Sequence, residues 1–168
     1  MADTIEKPSD AGYESDFYLW TQHQAAALRE AARTRLNASI DWENVAEEIE
    51  SVGRSDRHKI ESLTSQIIVH LLKLSVATRS EPRAGWQSEI LAWRIRLKRM
   101  LRENPSLRAG FADTVASEWN DAFRQAETDL LLFGDIGSRG DPRLRGIAHF
   151  TSEQILDEGF LFESGEQQ

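Results

Sequence analysis

The sequence predicts an all-α fold: a single helical bundle of four main helices with a short fifth, on three observations. Apolar residues recur at intervals of three and four across most of the 168 residues. No segment sustains the period-two alternation of β-branched residues that a strand requires. Proline, glycine and capping residues stand where such helices would begin and end. The length suits one ordinary domain, expected over 13–162, with a loose N-terminus (1–12) and a tail (163–168).

The first helix is expected over 16–35, on the spacing of Phe17, Trp20, Ala27, Leu28 and Ala31. Asp41 is a good N-cap for the second, over 41–78, with Ile40 and Val45 placed as a hydrophobic staple. Trp42, Val45, Ile49 and Val52 form its first stripe, and Ile60, Leu63, Ile67, Leu71 and Leu74 continue it. Gly53 and the polar stretch Arg54 to Lys59 fall between the two, so a break or kink near 53 is expected. Glu81-Pro82 ends that element.

The third helix (84–103) carries Trp86, Ile90, Trp93, Leu97, Met100 and Leu101 on one arc. Asn104-Pro105 reads as an N-cap followed by proline at the first helical position, opening the fourth helix over 105–133. Its stripe runs from Leu107 through Phe111, Val115, Trp119 and Ala126 to Leu130. Gly134, Gly137, Gly140 and Pro142 mark a loop. Thr151 to Gln154 is a capping box for a short helix over 152–158, which Gly159 and Phe160 are expected to close as in a Schellman ending. Trp42, Trp86, Trp93 and Trp119 all lie on apolar stripes and are expected to be mostly buried.

The composition, 40% hydrophobic and 29% charged with a mean hydropathy of −0.50, is that of a soluble globular chain. The longest apolar runs are far short of a membrane span, and no signal peptide is expected from a start that holds Asp3, Glu6 and Asp10. With no cysteine, disulfides, thiolate metal sites and cysteine nucleophiles are excluded, and a cytoplasmic location is the expectation. A net charge of −8 argues against nucleic acid or an anionic membrane as partner. The charge is unevenly spread. Residues 83–108 hold seven Lys and Arg against Glu89 and Glu103, a local +5, so the rest carries −13.

Certain residues also resemble a known pattern. They are Tyr13-Glu14-x-Asp16-Phe17-Tyr18-x-Trp20, then the block Asp41-Trp42-Glu43-Asn44-Val45-Ala46-Glu47-Glu48-Ile49-Glu50-Ser51-x-Gly53. His70-Leu71-Leu72-Lys73 follows, then Trp86 with Ile90 and Arg94, and Pro105-Ser106-Leu107. In that order they resemble the bacterial family known as domain of unknown function twenty-nine, from about Tyr13 to Phe160. The resemblance implies an all-helical fold and brings no activity, cofactor or catalytic residue with it. The chain departs from the pattern at Leu74, where an aromatic often follows the lysine. It departs again after Phe160, where Leu161-Phe162-Glu163 replace an expected proline.

No constellation here points to chemistry. The acids Asp41, Glu43, Glu47, Glu48 and Glu50 could serve a hard cation, but they read first as a solvated face, with Glu50 pairing to Arg54. No Glu precedes a His by three residues, and the His-Glu-x-x-His zinc motif is absent. No catalytic residue, metal ligand or cofactor is therefore expected. His70 falls on the apolar face of the second helix and reads as a core histidine, with a ligand or proton-transfer role as the alternative. Gly53-Arg54-Ser55-Asp56 lacks the second glycine of a nucleophile elbow.

The third helix offers more. Arg94, Arg96, Lys98, Arg99 and Arg102 lie opposite its apolar arc, with Ile95 among them. Such a face serves a partner, or it meets acids such as Glu43, Glu47 and Glu50 in the same chain or a second copy. The leading expectation is a non-enzymatic protein that acts by binding another protein or itself, as a homo-oligomer. One alternative is a nucleic-acid-associated regulator that uses this basic face. Another is a helical-bundle metal protein or enzyme around His70 and the Glu47/Glu50 cluster.

Overall fold

The computed structural model describes residues 12–34, 40–77 and 81–161. Every regular element among them is a helix: α1 (Phe17–Arg33), α2 (Trp42–Val76), α3 (Glu81–Glu103), α4 (Pro105–Ala109), α5 (Phe111–Leu132), α6 (Pro142–Arg145) and α7 (Ser152–Leu156). The all-α expectation holds. The expected helix ends at 35 and 78, residues 1–11 of the loose terminus and the tail after 162 lie outside the described residues. Two compact units share α2 and α3. One is Met1–Lys59 with Met100–Ala109, and the other is Ile60–Arg99 with Gly110–Gln168.

The first unit is tied together at helix ends. The Asp16 carboxylate, itself buried, accepts the Leu19 N–H at 2.9 Å and so caps α1. It also accepts the Ser106 N–H at 2.6 Å and the Ser106 hydroxyl at 2.9 Å, at the start of α4. Asn104 precedes Pro105 as expected, but its side chain faces the other way. Its Oδ1 accepts the Tyr18 N–H and its Nδ2 donates to the Met100 carbonyl. Each of the two helices is thus capped from beside the other.

Of the break or kink expected at Gly53, the break is absent, since α2 runs uninterrupted from Trp42 to Val76. The glycine answers a different demand. A Cβ there would stand 2.1 Å from Thr21 Oγ1 and 3.2 Å from Thr21 Cβ, so it lets α1 and α2 approach closely. Asp41 caps α2 through the Asn44 N–H, while Ile40 and Val45 are both exposed.

In the second unit, α2 from Ile67 to Val76 is buried nearly all round, as a central helix should be. Arg83 closes its end by donating to the Leu74 and Ala77 carbonyls. Pro82 therefore lies in the first turn of α3 and does not terminate α2. Phe111, Val115, Trp119, Ala126 and Leu130 face inward along α5, and Trp119 stacks on His149 at 4.3 Å. Trp42, Trp86 and Trp93 are partly buried.

The fourth expected helix is two helices, divided at Gly110, and α5 has its N-cap there. It ends in a Schellman motif: the Gly134 N–H bonds Leu131 O and the Asp135 N–H bonds Leu130 O, with Gly134 at φ 75°. The expected loop contains α6, opened by Asp141 as N-cap with Pro142 behind it. The capping box of α7 is present, but the Schellman ending is not: α7 stops at Leu156, with extended Asp157 as its C-cap.

Candidate functional site

The cations of α3 divide between interior and surface. Arg94 is 0% exposed, and its guanidinium donates to three carbonyls: Nε to Ile155 at 2.8 Å, Nη1 to Phe160 at 2.8 Å and Nη2 to Gln154 at 3.0 Å. Burial lowers its pKa from the ordinary arginine value, against the Asp157 and Glu158 carboxylates, which raise it. The carbonyls at the end of α7 are the negative pole of that helix, so the buried cation is matched by dipoles. Arg94 thus leaves the expected basic face and becomes an anchor for the C-terminal segment. Lys98 pairs with Glu158 at 2.7 Å.

Arg96, Arg99 and Arg102 are exposed, and among the described residues none of them forms an ion pair. Beside them stand two uncovered aliphatic side chains, Leu91 at 43% and Ile95 at 57% exposure. At 100° per residue, Leu91, Ile95, Arg99 and Arg102 share one outward stripe of α3. Neighbouring Ser88 and Ala92 are exposed too, so nothing bulky shields the pair.

Two of the expected acidic partners, Glu43 and Glu50, are engaged elsewhere. Glu50 bonds Arg29 at 2.6 Å and lies 3.4 Å from Arg54, while Glu43 stands 3.6 Å from Arg29. The Arg29 hydrogen bond holds the Glu50 carboxyl below its ordinary value. Glu47 and Glu48 are exposed.

His70 sits at one end of an open groove of about 530 Å³, lined from α2 by Ser62, Ser65 and Gln66 and from α5 by Glu118 and Asp121, among others. Its Nδ1 lies 3.1 Å from the Gln66 carbonyl and its Nε2 lies 3.0 Å from the Glu89 carboxylate. Trp93 and Trp86 meet the ring edge-on at 4.7 and 6.1 Å. Burial, helped by the Lys73 ammonium, lowers the imidazole pKa despite Gln66 and Glu89. Lys73 lies over Trp86 and pairs with Asp129 at 3.3 Å.

In the same groove, burial and the neighbouring Glu61 and Asp121 raise the Glu118 carboxyl, against a Ser65 hydrogen bond. Among the described residues, no three His, Asp or Glu side chains converge as a cation would require. The His70 ring nitrogens face Gln66 and Glu89, and Glu50 is held by Arg29 and Arg54.

The sequence reading missed two features of this region. Arg94 lies 60° from Leu91 on the wheel, toward buried Ile90 and Leu97, and that angle carried the signal. Leu91 was legible as an apolar neighbour of Ile95.

Comparison with known proteins agrees with the all-helical fold. The chain is similar in structure to an α-helical protein of unknown function from Rhodospirillum rubrum, with a TM-score of 0.73 and 29% identity. The match covers 91% of this chain and 94% of that one. No curated protein matches. The family model for the domain of unknown function DUF29 matches residues 13–161, so the chain belongs to that family.

Proposed function

We propose that this protein is a cytoplasmic, non-enzymatic binding module whose working surface is the outer stripe of α3. The observation that carries the reading is the pairing of exposed Leu91 and Ile95 with the exposed cations Arg96 and Arg99, which form no ion pair among the described residues. Single exposed aliphatics are ordinary on a protein surface. Two on adjacent turns, bordered by arginines without acids, form an anchor with a charged rim, which is the composition of a protein-binding patch. The partner chemistry that fits is an apolar stripe flanked by carboxylates.

A nucleic-acid partner would use Arg96, Arg99 and Arg102, but uncovered Leu91 and Ile95 contribute nothing to a phosphate backbone. The net charge of −8 also opposes it. The test is a photo-reactive amino acid placed at Ile95 in the native host, with exposed Asn120 on α5 as control. A protein adduct at Ile95 and none at Asn120 is the expected result. The absence of any adduct at Ile95 would remove the reading.

A further inference from the structure

The first half of α2 carries a second uncovered stripe. Asp41, Val45, Glu48 and Val52 stand at intervals of four, three and four, and all are exposed, with Val45 at 40% and Val52 at 50%. That spacing puts them on one helix face. The stripe alternates carboxylates with aliphatics, and among the described residues Glu48 forms no ion pair. On α3, Leu91, Ile95, Arg99 and Arg102 stand at intervals of four, four and three, with the opposite charge. One stripe is acidic and aliphatic, the other basic and aliphatic.

Both stripes are open to solvent. Every copy carries both. We infer that the partner of the α3 stripe is a second copy of this chain, which presents its α2 stripe. Leu91 and Ile95 pack against Val45 and Val52, and Arg99 meets Glu48. Reciprocal use of both stripes lets two copies close on each other, the commonest way for identical chains to associate. The aliphatic contacts hold the pair, while the charges fix orientation and speed encounter. The contact also explains why a chain of net charge −8 keeps an isolated basic stretch: it is one half of a matched pair.

This inference rests on the binding role proposed for α3, and its test uses the full chain. Molar mass is followed from nanomolar to high micromolar concentration for the wild type, E48R, R99E and the double variant, with melting curves as a folding control. The wild-type mass is expected to double with concentration. Each single reversal sets like charges against each other at both contacts and should raise the dissociation constant about tenfold or more. The double variant should associate as the wild type does. An equimolar mixture of E48R and R99E should also recover association, as mixed pairs alone.

A wild type that stays monomeric, or reversals that neither the double variant nor the mixture rescues, would overturn the inference. If the chain is monomeric while Ile95 captures a different protein in cells, the second copy is wrong and the binding role stands. If it is monomeric and Ile95 captures nothing, both fall.

Discussion

Arg94 and Arg99 stand five residues apart on one helix and have opposite fates. Arg94 fastens the end of α7 and Phe160 to α3, and its three carbonyl partners lie about sixty residues further along the chain. No local pattern encodes such partners, although the wheel angle alone placed Arg94 toward the core. Arg94→Leu would remove the arginine donors from three carbonyls, at a cost of about 3 kcal/mol or more. A thermal melt checks this, and an unchanged midpoint would show that the C-terminal segment is held by other contacts. At Gly53, periodicity located the lapse but not its cause, because the demand comes from Thr21 on α1. Gly53→Ala should lower stability by about 1–3 kcal/mol in denaturant unfolding, since Thr21 Oγ1 occupies the space the methyl needs. A neutral or stabilising result would contradict the close approach.

His70 gives the molecule a dependence on pH. Its imidazole pKa is lowered in the fold, chiefly by burial and then by Lys73, so the folded state favours the neutral ring. A depressed pKa contributes stability that is present above the ordinary value of 6.5 and is lost as pH falls through the folded value. The melting temperature should therefore drop below pH 6.5, and the part of the drop due to His70 should vanish in His70→Gln. Equal acid sensitivity in that variant would assign the effect elsewhere. The sequence reading of His70 as a core residue was close, since the ring is largely enclosed by Trp86, Trp93 and Glu89.

At the scale of elements, helix existence was legible throughout and helix ends were less so. Leu107, Phe111 and Val115 keep helical spacing across Gly110, which hid the division between α4 and α5. Asp141-Pro142 has the form of a helix start, but the four residues of α6 are too few to show an apolar period. The double cap at Asp16 was invisible, since the side chain bonds Ser106, ninety residues away. Both ends of that contact nonetheless fall in motifs quoted for the family resemblance. Asp16→Ala removes caps from α1 and α4 together and should cost about 2 kcal/mol, with each cap worth about 1. Ser106→Ala removes one hydroxyl contact and leaves both backbone caps, so it should cost less. Equal losses in the two variants would contradict a shared cap.

For the whole molecule, composition set the terms: no cysteine, a net charge of −8 and one basic stretch. Charge patterning singled out the basic face of α3 and set it against Glu43, Glu47 and Glu50, in the same chain or a second copy. Glu43 and Glu50 are held by Arg29, and Val45 and Val52, which periodicity assigns to an apolar stripe, are exposed beside Asp41 and Glu48. Raising the salt concentration should weaken self-association, since Glu48 and Arg99 would meet at a partly solvated rim.

The most direct measurement is hydroxyl-radical footprinting of the intact protein at low and high concentration, read at individual side chains. On this account Leu91, Ile95, Val45 and Val52 lose reactivity together as concentration rises, while exposed Leu132 and Tyr13 keep theirs. Unchanged reactivity at Leu91 and Ile95, with protection elsewhere or nowhere, would contradict it.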